Sequence, residues 1–290
     1  FGLLDLKKSL QMVEKLSAEQ HSSDWGMRII SSQNPMYGPE GYHYGSVWPL
    51  FTGWASVGEY RSHAAAAGFS NLKANAWLAL DGAAGHTTEV LSGMTYSPLS
   101  TASPHQIWSA AMVVSPLLRG LCGLEVDAVN KLVAFAPHLP SDWDYLGIHN
   151  VPIGAGKADV LLDRDDQSLR LRVVNHGKDA FSLDFAPAYS PFAKISRAKF
   201  NGQKVRWTDD RQSTDSHPHF KLQIRPGENT LAIEHRGTVE RSRDLYDLAG
   251  SWSDRQRAEV IDVALQSRPR RDEILGGFRG GLYAYDITMD

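Results

Sequence analysis

The stretch His86–Ala111, HTTEVLSGMTYSPLSTASPHQIWSAA, holds one carboxylate, Glu89, among threonine, serine and glycine. No lysine or arginine lies near it in sequence to pair with it. A carboxylate in such company is a candidate acid/base group. A turn-rich run follows (Ser97, Pro98, Ser100, Thr101, Ser103, Pro104), and then His105, Gln106 and Trp108 open a segment of helical composition. Long loops with little structure of their own are usually functional or disordered. This one is too aromatic and apolar to be a linker. Upstream, aromatics again sit beside small or polar residues: Trp25-Gly26, Tyr37-Gly38, Tyr42-His43-Tyr44-Gly45 and Trp48-Pro49. Such rings suit the apolar C–H faces of sugars, although each alone is equally an ordinary core anchor. Asp24-Trp25-Gly26-Met27-Arg28 brings an acid, an aromatic and a base together. A buried Asp24–Arg28 pair would pin that loop, and it is compatible with a role in binding.

The elements that must position these groups change character along the chain. Leu3, Leu6, Leu10 and Val13 recur at helical spacing, which predicts an amphipathic helix from about Leu4 to Ala18. Periodicity vanishes from His21 to Gly45, where Pro35, Gly38, Pro39 and Gly41 punctuate a long loop. Pro49 suits the first turn of a helix. The alanine-rich run Phe51–Ala67 continues that helix, and Gly68 reads as its stop. Phe69–Leu80 supplies another helix. Gln106–Leu121 supplies a strongly apolar one, which Pro116 should kink or break. The texture turns at Pro137-His138-Leu139-Pro140. Beyond Ile148 apolar residues alternate: Leu169, Leu171, Val173; then Phe181, Leu183, Phe185; then Phe220, Leu222, Ile224. Asn175-His176-Gly177, Asn201-Gly202 and Pro226-Gly227-Glu228-Asn229 separate the runs, as in an antiparallel β-sandwich. The expected division is helical hairpins over 1–149, a sandwich over 150–237, and a tail over 238–290. In the tail, Ser253 and Gln256 could cap one helix through Leu265.

Composition excludes some classes. The 290 residues suit about two domains. A formal net charge of -3 with no basic stripe argues against nucleic acid and against an anionic membrane surface. No apolar run approaches the roughly 20 residues of a spanning helix. The single cysteine, Cys122, rules out an internal disulfide and reads as a buried, inert thiol. The compartment stays open, cytoplasmic or exported. No Gly-rich phosphate loop follows a strand, so no cofactor is expected. No metal is expected either, because His217-Pro218-His219 has no third ligand at a helpful spacing.

Four motifs carry a resemblance. Tyr42–Pro49, YHYGSVWP, resembles the H-x-G-S-V-W-P signature of the amylo-α-1,6-glucosidase (glycogen debranching enzyme) family. Asp24–Arg28 is similar to the T-x-[YFW]-G-[LV]-R stretch that precedes it there. Thr88–Gly93 resembles the family's P-E-L-F-x-G segment, and Ser103–Ala110 its S-P-Q-A-W-A-A helix start. The match is in order and covers about residues 20 to 155. It departs at Thr88, where the family often has proline, and at His105, an insertion-like difference. The resemblance implies a toroid of helical hairpins, inverting hydrolysis of an α-glucosidic bond, and no metal. It implies that Glu89 is the general base that activates water. It also implies that Trp25, His43, Trp48 and Trp108 line the pocket; Asp24, Arg28, Tyr44 and Gln106 are further substrate-binding candidates on our own reading of the residues. About four helices precede the sandwich, too few for a complete toroid. The expectation is therefore a C-terminal part of such an enzyme, with the general acid outside this chain. It would associate with an N-terminal part or another chain. The alternatives are another toroid glycosidase, α-L-rhamnosidase-like or trehalase-like, or a non-catalytic carbohydrate-binding toroid.

Overall fold

The computed structural model describes residues 4–140, 143–236 and 286–288. The described residues divide into two compact units. One runs to Leu124 and includes Ala136–His138; the other holds Glu125–Phe135 and everything from Leu139 onward.

The first unit holds the helices. Helix α1 (Leu6–Ser17) starts where Asp5 accepts the Lys8 N–H at 2.8 Å, a side-chain cap for an otherwise unpaired donor. Strands β1 (Ser22–Ser23) and β2 (Gly26–Met27) form a hairpin with Asp24 and Trp25 at its tip. Helix α2 (Pro49–Arg61) follows with Pro49 in its first turn. The helix expected over 51–67 is interrupted. His63 takes a left-handed φ of 62°, and α3 (Ala65–Leu78) begins just after it. Gly68 therefore lies inside a helix and is not a stop. A β-carbon there would sit 2.7 Å from the ring of Tyr60. Helix α4 (Ile107–Pro116) does not break at Pro116 but widens into a π-turn over Leu117–Leu121. Proline's missing N–H removes one i−4 bond, which such a widened turn accommodates.

Close approach sets the packing. The Tyr60 ring is 2% exposed and lodges between Gly68 of α3 and Gly120 of the π-turn, where a β-carbon would stand 2.6 Å away. Gly53 of α2 leaves room for Met112 of α4. Asn75 donates to the carbonyls of Pro49 and Met112, at 2.9 and 3.0 Å, and so ties α3 to both neighbours. Cys122 is fully buried, and burial pushes its thiol up to about 12. No helix among the described residues is long and apolar enough to cross a membrane.

The second unit is built from two mostly antiparallel sheets. Its strands are β3 (Leu124–Asp127), β4 (Leu132–Phe135), β5 (Tyr145–Ile153), β6 (Gly156–Arg164), β7 (Ser168–Asn175), β8 (Phe181–Phe185), β9 (Lys194–Phe200), β10 (Gln203–Lys204), β11 (Thr208–Arg211), β12 (Ser216–Ile224), β13 (Gly227–Arg236) and β14 (Asp286–Thr288). One sheet runs β10-β9-β13-β7-β6-β5-β14 and the other β11-β12-β8-β4-β3. Among the described residues β14/β5 and β4/β8 pair in parallel. Leu169, Leu171 and Val173 of β7 and Phe181, Leu183 and Phe185 of β8 are buried, with more exposed residues between them. This period-two burial gives each sheet one core face. Asn201 and Gly202, both at positive φ, make the two-residue turn from β9 to β10, as the dipeptide demands. The strands start at Leu124 and Tyr145, ahead of the expected boundary at 150. β3 and β4 are only four residues each, and β5 shifts register between Ile148 and Val151. The helix expected through Leu265 lies outside the described residues.

The Tyr60 hydroxyl has no hydrogen-bond partner among the described residues. Gly120→Ala drives a methyl group into the Tyr60 ring and should cost about 1–3 kcal/mol. Tyr60→Phe removes only an unpartnered hydroxyl and should be neutral or stabilising. Urea unfolding of both variants checks the pair of signs; a Tyr60→Phe loss as large as that of Gly120→Ala would contradict it.

Candidate functional site

The aperiodic loops pair with one another. Single bridges link Arg28 to Val47, Val47 to Leu91, and Leu91 to Pro98. Val47 and Leu91 exchange two main-chain hydrogen bonds, of 2.9 and 2.8 Å. Farther along, the Glu89 N–H donates to the Ser103 carbonyl and the Gln106 N–H to that of Thr87, each at 2.9 Å. Segments 28, 47, 91 and 98 thus form a small ladder. The last two continue as paired arms to the start of α4.

Glu89 stands on one of these arms and is 8% exposed. One carboxylate oxygen accepts the Tyr42 hydroxyl at 2.6 Å, and the other accepts the Ser103 N–H at 3.1 Å. The Gln106 amide reaches the first oxygen at 3.5 Å, a weak contact. The Tyr42 hydrogen bond holds the Glu89 carboxyl below its ordinary pKa. Burial pushes the other way, and the Ser103 N–H and the Gln106 amide add to the lowering. The same hydrogen bond, with burial and the carboxylate's charge, raises the Tyr42 phenol. The pair is therefore an ionised carboxylate and a protonated phenol.

The aromatics sort into two groups. The Tyr42 ring meets Trp48 edge-on at 4.6 Å and His43 at 4.7 Å, and His43 stacks on Trp48 at 5.7 Å with an interplanar angle of 3°. Trp48 is buried, donating its indole N–H to the Tyr42 carbonyl and the Ser46 hydroxyl, each at 3.0 Å. It packs with Val90 and Leu99. His43 and Tyr44 are exposed. Trp25 belongs to the other cluster, against Val47, Leu78 and Leu91. Its indole N–H donates to the Ser92 carbonyl at 2.9 Å. Trp108 lies in the first turn of α4 and is 43% exposed. The structure thus gathers Glu89, Tyr42, His43, Trp48 and Gln106, while Trp25 packs apart from them.

Asp24 is exposed, at odds with the buried position the sequence reading gave it. Arg28 instead pins the loops through main-chain carbonyls: its guanidinium donates to Gly93 at 2.5 Å, and to Glu19 and Ser22 at 2.9 Å each. His217 and His219 each have other partners. His217 meets the Ala186 carbonyl at 2.8 Å and Asp215 at 3.1 Å, and His219 meets Asp184 at 3.0 Å.

Sequence reasoning missed Tyr42 and Ser103 as holders of Glu89. Tyr42 opens the quoted YHYGSVWP run, so the signal was present, but nothing in the run says which of its rings turns its hydroxyl to the carboxylate. It also missed Glu40, whose carboxylate accepts the hydroxyl of buried Ser92.

No family model and no curated protein matches the sequence. Among solved structures the chain is similar to an α-L-rhamnosidase from Dictyoglumus thermophilum: 14% identity, TM-score 0.32, 48% of this chain and 15% of that one. A protein from the human microbiome described as a kojibiose phosphorylase aligns at 13% identity and TM-score 0.35, over 61% and 19% of the two chains. A β-L-arabinofuranosidase from Geobacillus Stearothermophilus T6 aligns at 12% identity and TM-score 0.35, over 68% and 32%. The chain spans about a third or less of each of these proteins. All three have carbohydrate-active names, but at these TM-scores the likeness decides neither fold family nor function.

Tyr42→Phe removes the main cause of the lowered Glu89 pKa, which should therefore rise. A carboxylate held low stabilises the fold above its unfolded pKa of about 4.3, and that contribution is lost as pH falls through the folded value. Tyr42→Phe should thus lose stability at pH 7 and show a smaller further loss between pH 5 and 3 than the unmodified chain. Urea midpoints across that pH range check it; parallel curves for the two proteins would refute it.

Proposed function

We propose that this chain carries the water-activating half of an inverting glycoside hydrolase active site, with Glu89 as general base. The observation that carries this reading is the tethering of Glu89 at both oxygens, by Tyr42 and Ser103, with its pKa lowered. A base that activates water must be ionised at working pH and held within about 3 Å of that water. The exposed His43 ring, backed by buried Trp48, and the Gln106 amide beside Glu89 suit a sugar ring, which needs an apolar face and hydrogen-bonding groups together. The four-motif resemblance makes the substrate an α-glucosidic oligo- or polysaccharide. Asp24, Trp25, Arg28, Tyr44 and Trp108 are assigned to wider substrate contacts.

Inversion needs a second carboxyl group roughly 6.5–9.5 Å from the first, with water between. In this reading that acid comes from another polypeptide or from a further part of the same enzyme. The exposed side of α4 supports such a neighbour. Ile107 is 84% exposed and Val114 56%, and Ala111 between them is exposed as well, a stripe at helical spacing. Contiguous exposed apolar surface of this kind usually marks an interaction site. Further helical hairpins, as in the toroid of the resembled family, would cover it.

A non-catalytic, sugar-binding reading draws on one specific fact: both Glu89 oxygens already have donors within the chain. The two readings part on one variant. Glu89→Gln in the complete enzyme should keep fold and sugar binding yet lower turnover by a factor of roughly 100 or more. Sugar binding without hydrolysis by the unmodified full-length protein would favour the binding module, and near-normal turnover in Glu89→Gln would end the assignment of the base.

A further inference from the structure

The two arms that hold Glu89 also carry an imidazole pair. His86 precedes Thr87 and His105 precedes Gln106, and Thr87 and Gln106 are joined by a main-chain hydrogen bond of 2.9 Å. Across this rung the two Nδ1 atoms stand 2.8 Å apart. The rings meet edge-on, with centroids 4.0 Å apart and an interplanar angle of 69°. Both side chains are exposed.

We propose that His86 and His105 form a two-histidine site for a borderline divalent cation such as Cu2+, Ni2+ or Zn2+. The present contact needs one Nδ1 to carry a hydrogen and the other to be bare. Moving that hydrogen to Nε2 of its own ring leaves two lone pairs aimed into the same gap. An ion bound by both imidazoles at about 2.0–2.1 Å needs its two nitrogens roughly 2.9–3.4 Å apart, from right-angled to tetrahedral coordination. The nitrogens have only a few tenths of an ångström to open, and the rings must tilt until both lone pairs converge on the ion, which exposed side chains can do. Neutral imidazole suits copper, nickel and zinc, whereas magnesium and calcium prefer oxygen. The tautomer shift itself releases no proton. Water fills the remaining positions.

The main chain preorganises the pair, since the rung at Thr87–Gln106 and the next at Glu89–Ser103 fix both arms before any ion arrives. A bound ion would tie together the arm that bears Glu89 and the arm that bears Ser103. The site does not depend on Glu89 being a base, and its test does not read hydrolysis.

The experiment uses the untagged chain, dialysed at neutral pH against Cu2+, Ni2+ or Zn2+, with bound metal counted and the Cu2+ form examined by electron paramagnetic resonance. His86→Ala and His105→Ala are compared with His176→Ala, which lies in the other unit. The proposal predicts one equivalent of ion with coupling to two imidazole nitrogens, Cu2+ binding tighter than Ni2+ or Zn2+. Each of the two variants should weaken binding by about tenfold or more and leave at most one coupled nitrogen, while His176→Ala changes neither. Circular dichroism of each variant shows that the fold is intact. As a reading on the unmodified chain alone, hydrogen exchange over 86–106 should slow when Zn2+ is added. Uptake and spectrum unchanged in both variants, no uptake in excess ion, or unchanged exchange over 86–106 would overturn the proposal.

Discussion

Loops without periodicity still cannot bury unpaired N–H and C=O groups. In the helical unit four such segments meet this requirement by pairing with one another, through Arg28, Val47, Leu91 and Pro98. Everything in the candidate site hangs on that ladder. Arg28 closes one side by reaching the Gly93 carbonyl. Gly93 itself is needed because a β-carbon there would run into the Gly45 carbonyl. Trp48 ends the ladder's second segment and starts α2, so its indole is fixed by sheet and helix at once. Glu89 lies just beyond the last bridge, where the arms run on towards α4.

The unit contains two glutamates with little exposure, and the fold sets them in opposite states. Glu59 on α2 is fully buried and, among the described residues, accepts the Asn71 amide at 3.0 and 2.8 Å. Burial outweighs that donor and raises its pKa. Glu89 sits near the surface and meets a phenol and a main-chain N–H, and its pKa is lowered. The difference is one of donors and depth, not of residue type. A raised carboxyl pKa favours the fold at low pH and costs stability as pH rises through the window between the unfolded and folded values. A lowered one does the reverse. Glu59 is thus pushed towards its neutral form and Glu89 towards its charged one.

Where local chemistry decides structure, the sequence was readable. Alternating apolar residues placed β7, β8 and β12, because a pleated strand exposes every second side chain. Asn201-Gly202 placed a hairpin because both positions need positive φ. Tertiary contacts decided the rest. Gly68 looked like a helix stop, yet its missing side chain serves the ring of Tyr60, a contact invisible without α3 folded against α2. Pro116 looked like a break, and the backbone absorbed it in a wider turn. In the site, Glu89 stood out by its neighbours and by the motif around it. Trp25 and Trp48 looked alike by composition, but packing assigned them to different clusters. The role of Tyr42 depended on where an irregular loop points one hydroxyl, for which sequence spacing has no rule.

The same arms join the carboxylate to the exposed helix face. Ser103 holds Glu89, Gln106 precedes the first residue of α4, and Ile107 begins the uncovered stripe. Only three residues separate the N–H that orients the carboxylate from the helix that carries this exposed face. A shift of α4 on covering that stripe would be felt at Ser103 before it dissipated, because the rungs at Thr87–Gln106 and Glu89–Ser103 allow little slack. Under the proposed function, a neighbour that also brings the second carboxyl group would set the geometry of both halves together.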